Sequence, residues 1–353
     1  MPKSLRDPMG RADMLSRLPE RVFSRRRFLL VVGTCAALCL AVLALTPWIG
    51  STGIRWERVV GGMSPDREIF VIARLPRVLF GALVGGSLAV AGVVFQAVLR
   101  NSLATPFTLG VSSGSSLGAV VAIWLGLDLV LLGIPVLPIA AFLGAAFAMA
   151  LVFMIARTRQ ALPTLTLLLA GVTLNFIFSA LIMFMHYASN FTQSYVIARW
   201  MMGSLDVVEY GTLLKMFPFI FISFAVLVWK SARFNPLAVG EEWAQTRGVD
   251  VDGLKRTAYV ASSVLTGTVT AFSGPIGFVG LIVPHTLRLL AGPDHRILIP
   301  ASFFAGAAFL VLCDTASRTL FAPAEIPVGV ITALLGGPFF VILLRRRKGD
   351  LFL

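Results

Sequence analysis

The chain has 353 residues, of which 57% are hydrophobic and only 13% are charged, and its mean hydropathy is +0.88. A water-soluble domain of this length could not bury so much apolar surface, so the composition predicts an all-α integral membrane protein. The net charge of +13 comes without a basic stripe interleaved with aromatic residues, which argues against nucleic-acid binding.

Apolar blocks of about 20 residues recur along the chain, and each can cross a bilayer core of about 30 Å. They predict a bundle of ten transmembrane helices near residues 28–48, 75–99, 109–127, 134–156, 163–188, 211–230, 256–272, 275–290, 297–317 and 327–344. A basic tail at 1–27 would precede one transmembrane domain at 28–353. If both termini are cytoplasmic, the positive excess falls on the cytoplasmic side, as the positive-inside rule requires.

Pairs of glycines four residues apart lie in the second and third predicted spans, in GALVG at 81–85 and GSSLG at 114–118. Small residues on one helix face let two backbones approach closely, which is how helices pack in lipid. The pattern therefore predicts a compact bundle.

Three arginines are expected at the outer surface: Arg74 and Arg77 open the second span, and Arg318 closes the ninth. Interfacial snorkelling is one explanation, and a cationic rim that captures an acidic partner is another. Asp314 is the one carboxylate inside a predicted span. Its position four residues before Arg318 predicts a local ion pair rather than a proton relay.

The cytoplasmic loop at 235–256 alternates charged and apolar residues, and Gly240 and Gly248 bracket a stretch long enough for two helical turns. This pattern predicts a short amphipathic helix on the cytoplasmic face. Its mixed charges favour docking on a protein over binding to an anionic lipid surface.

The stretch at 273–296 interrupts the apolar pattern. Gly274–Pro275 is expected to turn the chain between two spans at the outer side, and Pro284 to loosen the eighth span. His295 and Arg296 are then expected in a cytoplasmic loop. His285 is interpreted as structural rather than as a haem ligand.

Motifs for chemistry are lacking in the sequence. No GxxxxGK[ST] loop is present, and no histidine has an acidic partner at its depth, so we predict that the chain is not an enzyme. The three cysteines fall within spans without metal-ligand spacing, which predicts packing roles and no metal site. An ion-coupled secondary transporter and an intramembrane enzyme remain as rival classes.

Six ordered motifs span most of the chain: RLPR at 74–77, GSLAVAGVVFQAVLRNSLATPFTLGVSSG at 86–114, LLLAGV at 167–172, WMMGSL at 200–205, GPIGFVGLIVPHTLRLLAGPDHR at 274–296 and EIPVGVITALLGGPFF at 325–340. Together they resemble the FecCD family of membrane permeases. The resemblance implies the type II ABC importer permease fold, with ten spans and both termini cytoplasmic.

The same resemblance implies a cargo and a set of partners. The cargo would be a metal chelate carried across the bacterial inner membrane, most often a ferric siderophore, with cobalamin or haem as alternatives. The partners would be a second copy of the chain, two ATP-binding subunits, a periplasmic or lipid-anchored substrate-binding protein, and membrane lipid. ATP and Mg²⁺ would bind to the partner subunit, and no cofactor is expected in this chain.

Residue roles follow from the resemblance by position. The binding protein would dock at Arg74, Arg77 and Arg318. ATPase coupling would involve Gly240, Glu241, Glu242, Ala244, Arg247 and Gly248. The cytoplasmic gate would lie near Asn101, Leu103, Thr164 and Leu165.

One face of the fifth span is a candidate for the translocation path. Asn175, Phe178 and Ile182 share this face at positions i, i+3 and i+7, and large, partly apolar ligands suit sites with few polar groups. A packed helix face explains the same spacing equally well.

Overall fold

A computed structural model describes residues 24–131, 133–157, 162–206 and 209–347, without the side chains of 343, 344, 346 and 347. In this part of the chain the regular structure is helical, apart from a hairpin in which β1 (Val130–Leu131) pairs antiparallel with β2 (Ile134–Pro135). Most of the predicted basic tail, up to residue 23, lies outside the described residues, as do residues 348–353.

The helices follow one another with short connections. In chain order they are α1 (Arg25–Leu45), α2 (Trp56–Val60), α3 (Asp66–Glu68), α4 (Leu75–Val98), α5 (Val111–Trp124), α6 (Val136–Ala156), α7 (Thr164–Tyr187), α8 (Phe191–Met201), α9 (Tyr210–Trp229), α10 (Ser231–Val239), α11 (Glu241–Thr246), α12 (Val251–Ser273), α13 (Val279–Ala291), α14 (His295–Thr319) and α15 (Val328–Arg347). A 3₁₀ turn at Thr46–Trp48 extends α1, and a π-helical segment at Ile69–Arg74 leads from α3 into α4.

Each predicted apolar block overlaps one helix of 13 residues or more, although several of these helices extend beyond the block. Among the described residues, six helical segments are long and apolar enough to cross a membrane: Arg25–Trp48, Asp66–Val98, Val136–Ala156, Thr164–Tyr187, Tyr210–Trp229 and His295–Thr319. The chain is thus a multi-pass helical protein. The count of ten spans and the cytoplasmic placement of both termini stay predictions.

Backbone geometry sets the start of α5, the end of α12 and the start of α13. Gly110, with φ of 78°, immediately precedes α5, and Gly274, with φ of 66°, ends α12. Glycine has no Cβ to oppose such left-handed conformations. Pro275 cannot donate a helical hydrogen bond, and Phe278 has φ of 68°. Helix α13 therefore begins at Val279, four residues after the predicted start of the eighth span.

Helix α4 lies at the centre of the bundle. It packs against α9, α12, α13 and α14, and 83% of its most apolar stretch is buried. The corresponding fraction for α1 is 11%, because α1 packs on the outside, mainly against α14. Helices α5, α6 and α7 pack on one another beside this centre, and α6 also contacts α12.

Glycines allow the closest of these crossings. A Cβ added at Gly92 of α4 would overlap the carbonyl of Gly280 on α13, and one at Gly85 would overlap the carbonyl of Gly306 on α14. Gly118 of α5 is equally tight against Ala140 of α6. The structure thus confirms that the glycines of GALVG and GSSLG bring helices together, although Gly92 lies outside both motifs.

Candidate transport sites

A cavity of about 630 Å³ lies among α5, α7, the 275–277 connection and α15. Two of the predicted path residues, Asn175 and Ile182, line it. Phe178 does not: its side chain is 3% exposed and packs near Phe147 of α6, with ring centroids 6.5 Å apart. Of the three residues on this helix face, Asn175 and Ile182 therefore line the cavity, and Phe178 belongs to the core.

Serines supply much of the polar lining of this cavity. Ser112, Ser113 and Ser116 of α5 join Ser179 of α7, and the buried hydroxyl of Ser112 has no hydrogen-bond partner among the described residues. Sequence reasoning missed these serines because GSSLG, which contains Ser116, was interpreted only as a glycine packing motif, and the other three were not considered. The signal was present in the two serine pairs that flank Gly114.

Two of the three arginines predicted at the outer side, Arg77 and Arg318, share one ion-pair network around Asp314, and Arg74 is held by backbone carbonyls; their role in docking a binding protein stays a prediction. Arg77 pairs with Asp314 at 3.0 Å and with Glu325 at 2.8 Å, and Arg318 pairs with Asp314 at 3.1 Å. Arg74 donates hydrogen bonds to the backbone carbonyls of Pro47 and Thr52.

This network confirms the predicted local pair between Asp314 and Arg318. The expectation that all three arginines lie at the surface is wrong for Arg74 and Arg318, whose exposed fractions are 6% and 5%. A buried guanidinium needs charge or carbonyl partners, and the ends of α1 and α14 supply them. Arg77 is less buried, with 14% of its side chain exposed.

The predicted short helix between Gly240 and Gly248 is present as α11, and the 235–256 stretch also contains the end of α10 and the start of α12. Phe234 and Leu237 of α10 and Ala244 of α11 are fully buried and anchor the loop in the core. Gly240 connects the two helices, and Gly248, with φ of 74°, follows the second.

Glu241 at the start of α11 connects three other segments. Its carboxylate accepts a hydrogen bond from Lys255 Nζ of α12 at 2.6 Å and one from Thr164 Oγ1 of α7 at 3.0 Å. Arg100, after α4, approaches it to 3.6 Å. Lys255 is itself 1% exposed and also donates to the carbonyl of Leu162. A residue of the predicted coupling set thus directly contacts a residue of the predicted gate.

Electrostatics keep Glu241 ionised. Burial raises the pKa of this carboxyl group, but hydrogen bonds and charges from Lys255, Thr164 and Arg100 outweigh burial, so its pKa lies below the ordinary value. A lowered pKa means that the stabilising interaction is complete above the ordinary range, about pH 4.3, and is lost only as the pH falls through the lower folded value. The contact with Lys255 therefore persists at physiological pH.

The opposite face of α11 is exposed. Glu242, Trp243 and Arg247 point away from the core, and the Arg247 guanidinium lies 4.8 Å from the centre of the Trp243 ring. Exposed tryptophan and arginine are the residues that most often dominate protein interfaces. Sequence reasoning missed Trp243, although a lone tryptophan on a short amphipathic helix is a usable signal.

The remaining predicted gate residues lie at the same end of the bundle. Leu103 and Leu165 are 45% and 67% exposed. The side chain of Asn101 accepts a hydrogen bond from the Leu103 amide at 2.9 Å, which fixes the turn after α4. Arg100 in that turn has φ of 46°, a conformation that is uncommon outside glycine and marks a constrained segment.

His295 and Arg296 are not loop residues as predicted: they begin α14. Asp294 caps this helix by accepting from the Arg296 amide at 3.0 Å, which fixes its start. The His295 ring contacts the Asn235 side-chain oxygen at 2.8 Å, so α14 is tied to α10. His285 is buried in α13, with Phe339 of α15 edge-on to its ring.

The central glycine-packed helix, the serine-lined cavity and the short helices at one end are the features of a multi-pass helical membrane protein with a cavity between its helices. The chain belongs to the FecCD family, because the model of the FecCD transport family matches residues 34–346. The family prediction is confirmed.

Similar proteins agree with this assignment. The chain is 44% identical over 303 residues to the cobalamin import system permease protein BtuC of Halobacterium salinarum, covering 86% of this chain and 80% of that protein. It is 38% identical over 282 residues to the hemin transport system permease protein HmuU of Yersinia pestis, covering 80% and 84% respectively. A solved structure described as an inward-facing conformation of a metal-chelate type ABC transporter matches with a TM-score of 0.78 and 33% identity, over 90% of this chain and 99% of that chain.

Proposed function

We propose that this chain is the permease subunit of an ATP-driven importer of metal chelates in the bacterial inner membrane. Two copies would form the path, two ATP-binding subunits would bind below, and a substrate-binding protein would deliver cargo from outside. The observation that carries the proposal is the contact set of Glu241. It joins the helix with the exposed docking face to the segment that begins α7.

The mechanism follows from this connection. Movement of α11 by an ATP-binding subunit would displace Glu241 and, through Thr164 and Lys255, the starts of α7 and α12. Both helices continue into the bundle, so a change at the docking face would reach the cavity that contains Asn175. The permease needs only different affinities for the alternating states and performs no chemistry of its own. ATP hydrolysis would take place in the partner.

The homodimer has support in the position of the cavity. Ser179 and Leu334 line it and are exposed, so the cavity opens at the surface of a single copy. A second copy facing α7 and α15 would close the opening and complete an enclosed path. A site built by two chains is a common result of twofold symmetry.

The cargo is proposed as a metal chelate, with cobalamin and haem ahead of a ferric siderophore. The sequence-based preference for a siderophore rested on frequency in the family. The two named relatives transport cobalamin and hemin, and neither supports the siderophore specifically. A cavity of about 630 Å³ per copy, lined by hydroxyl and aliphatic groups, suits a bulky and partly apolar ligand.

The test is uptake into proteoliposomes that contain the chain with its ATP-binding subunit and its substrate-binding protein. Cobalamin, hemin and a ferric siderophore are offered in turn, with and without ATP. We expect one cargo to enter only when ATP and both partners are present. A control with a hydrolysis-deficient ATP-binding subunit should abolish uptake. Uptake driven by an ion gradient without partners would instead favour a secondary transporter.

A further inference from the structure

The serine-lined cavity of about 630 Å³ has an uncharged wall. Among the described lining residues there is no Asp, Glu, Lys, Arg or His. The rest of the wall beyond the polar groups consists of apolar side chains and glycines. The polar groups are the side-chain amide of Asn175 and the hydroxyls of Ser112, Ser113, Ser116 and Ser179. The cavity therefore offers a ligand hydrogen bonds and apolar contact, but no counter-ion.

The charged residues of an adjoining cavity are already paired with one another. This cavity, of about 270 Å³, shares Met202 with the serine-lined cavity and contains two arginines and two carboxylates among its described lining residues. Arg199 pairs with Asp206 at 3.2 Å, and Arg77 pairs with Glu325 at 2.8 Å. Each arginine thus has a carboxylate partner, so the adjoining cavity supplies no spare counter-ion for a ligand.

The hydroxyl groups of the wall retain capacity to bond a ligand. Ser113 donates to the carbonyl of Gly110 at 3.1 Å, and Ser116 donates to that of Ser112 at 3.0 Å, so both hydroxyls keep lone pairs that can accept. Ser112 is 1% exposed, and its hydroxyl has no hydrogen-bond partner among the described residues. A buried hydroxyl without a partner costs free energy, which a hydrogen-bonding ligand would recover.

An uncharged wall discriminates between ligands by their charge. A carboxylate that leaves water for this cavity loses its hydration and finds no cation in the described lining. An unpaired buried ion costs far more free energy than a carboxamide that keeps its hydrogen bonds. A twofold-related second copy would contribute the same residues, so it would add hydroxyl groups and no counter-ion.

From this arrangement we propose that the serine-lined cavity selects metal chelates by charge. It favours chelates whose peripheral groups are uncharged and hydrogen-bonding, such as carboxamides, over chelates that carry carboxylates, and Ser112 is a residue that determines this specificity. The inference rests on the proposed function, because it treats the cavity as part of the cargo path. Selection here acts in addition to selection by the substrate-binding protein.

The test uses pairs of chelates that share a ring and differ in charge: hemin with hemin dimethyl ester, and cyanocobalamin with its monocarboxylic acid. Equilibrium dialysis measures their affinity for the permease with its ATP-binding subunit in nanodiscs, without the binding protein, after subtraction of binding to empty nanodiscs. In any pair that binds, we expect the uncharged member to bind at least about tenfold more tightly. Equal affinities, a preference for the carboxylate, or binding of none of these probes would overturn the proposal.

Two serines of α5 provide a matched test of the site. Ser112→Ala removes the lining hydroxyl and should weaken binding of the uncharged chelate about three- to tenfold. Ser115→Ala is the control, because Ser115 is also buried and its hydroxyl also lacks a partner among the described residues, but it lies outside the cavity lining. The control should keep the affinity of the unaltered chain. Equal losses in both variants would contradict a contact between Ser112 and the ligand.

An added cation tests the role of charge directly. Ser179→Lys places an ammonium group in the lining and should reduce the preference for the uncharged member about tenfold. Ala180→Lys is the control, because Ala180 is adjacent, exposed and outside the lining, and it should leave the preference unchanged. The preference is a ratio within one variant, so it does not depend on the folded fraction. An unchanged ratio in Ser179→Lys would contradict selection by charge, and if this variant does not fold, the ratio of the unaltered chain decides.

Uptake separates failure of this inference from failure of the proposed function. ATP-dependent uptake of both members of a pair at equal rates would overturn selection by charge and leave the importer assignment intact. Absence of ATP-dependent uptake of every chelate would overturn the importer assignment, while the binding ratios still decide whether the cavity discriminates by charge.

Discussion

Two adjacent carboxylates, Glu241 and Glu242, face opposite ways from helix α11. Glu241 contacts Lys255, Thr164 and Arg100, whereas Glu242 is exposed beside Trp243. In the sequence the pair is indistinguishable, and both were assigned to ATPase coupling. The distinction depends on Lys255, which is fourteen residues away in the chain and fully buried.

The two carboxylates should respond differently to neutralisation. Glu241→Gln leaves the buried ammonium of Lys255 without its counter-ion, which typically costs about 1–3 kcal/mol, so we expect an about tenfold loss of ATP-coupled uptake. Glu242→Gln is the matched control, since it removes the same charge from the neighbouring position. The measurement is uptake and ATPase rate in the reconstituted complex, together with assembly of the subunits.

Comparison of the uptake rate with the ATPase rate distinguishes a loss of transmitted motion from a loss of docking to the ATP-binding subunit. If Glu241 transmits motion, its variant should still assemble with the ATP-binding subunit and hydrolyse ATP while uptake falls. Equal uptake defects in both variants, accompanied by loss of assembly, would show that the two residues serve only as docking contacts.

At the scale of elements, the helix positions were accessible from the sequence, and several helix ends were not. Apolar length located the helix-forming blocks, because bilayer thickness constrains length. The late start of α13 depends on the left-handed backbone of Phe278, which no residue preference indicates. The burial of Arg74 and Arg318 also escaped prediction, since it depends on the distant carbonyls of Pro47 and Ile49, which accept hydrogen bonds from Arg74 and Arg318 respectively.

The crossing of α4 and α13 gives a test at this scale. Gly92→Ala places a methyl group against the backbone carbonyl of Gly280, which cannot rotate away, so we expect a loss of about 1–3 kcal/mol in stability. Gly33→Ala on α1 is the control, because nothing lies within 4 Å of the added methyl group. Thermal unfolding in detergent measures both, and an unchanged midpoint for Gly92→Ala would contradict the crossing.

At the scale of the whole molecule, the ion network around Asp314 connects an early helix of the chain to a late one. Asp314 of α14 joins Arg77 of α4, 237 residues earlier, and Arg77 continues to Glu325 before α15. Sequence reasoning found the local pair with Arg318 but not this long-range partner. Spacing along a helix predicts contacts within that helix and carries no information about the helix beside it.

Removal of the central carboxylate should destabilise the whole bundle. Asp314→Asn leaves two largely buried arginines without their shared counter-ion, and breaking such a pair costs about 3–5 kcal/mol. Glu325→Gln is the control: it also removes a carboxylate from Arg77, but 43% of the Glu325 side chain is exposed, so the cost should stay below about 1 kcal/mol. Unfolding midpoints of both variants in detergent provide the comparison. If the midpoint of Asp314→Asn equals that of the unaltered chain, the buried network adds no stability.

The central position of α4 also bears on how the protein is made. Its partners α12, α13 and α14 are all synthesised well after it, so α4 enters the bilayer before the helices that will cover it exist. During that interval lipid must contact Gly85 and Gly92, which later meet other backbones. The apolar composition of α4 suits this interval, because a helix long and apolar enough to cross a bilayer satisfies its own backbone hydrogen bonds in lipid. During biogenesis α4 must therefore be stable as a lipid-exposed helix before it becomes the buried centre of the protein.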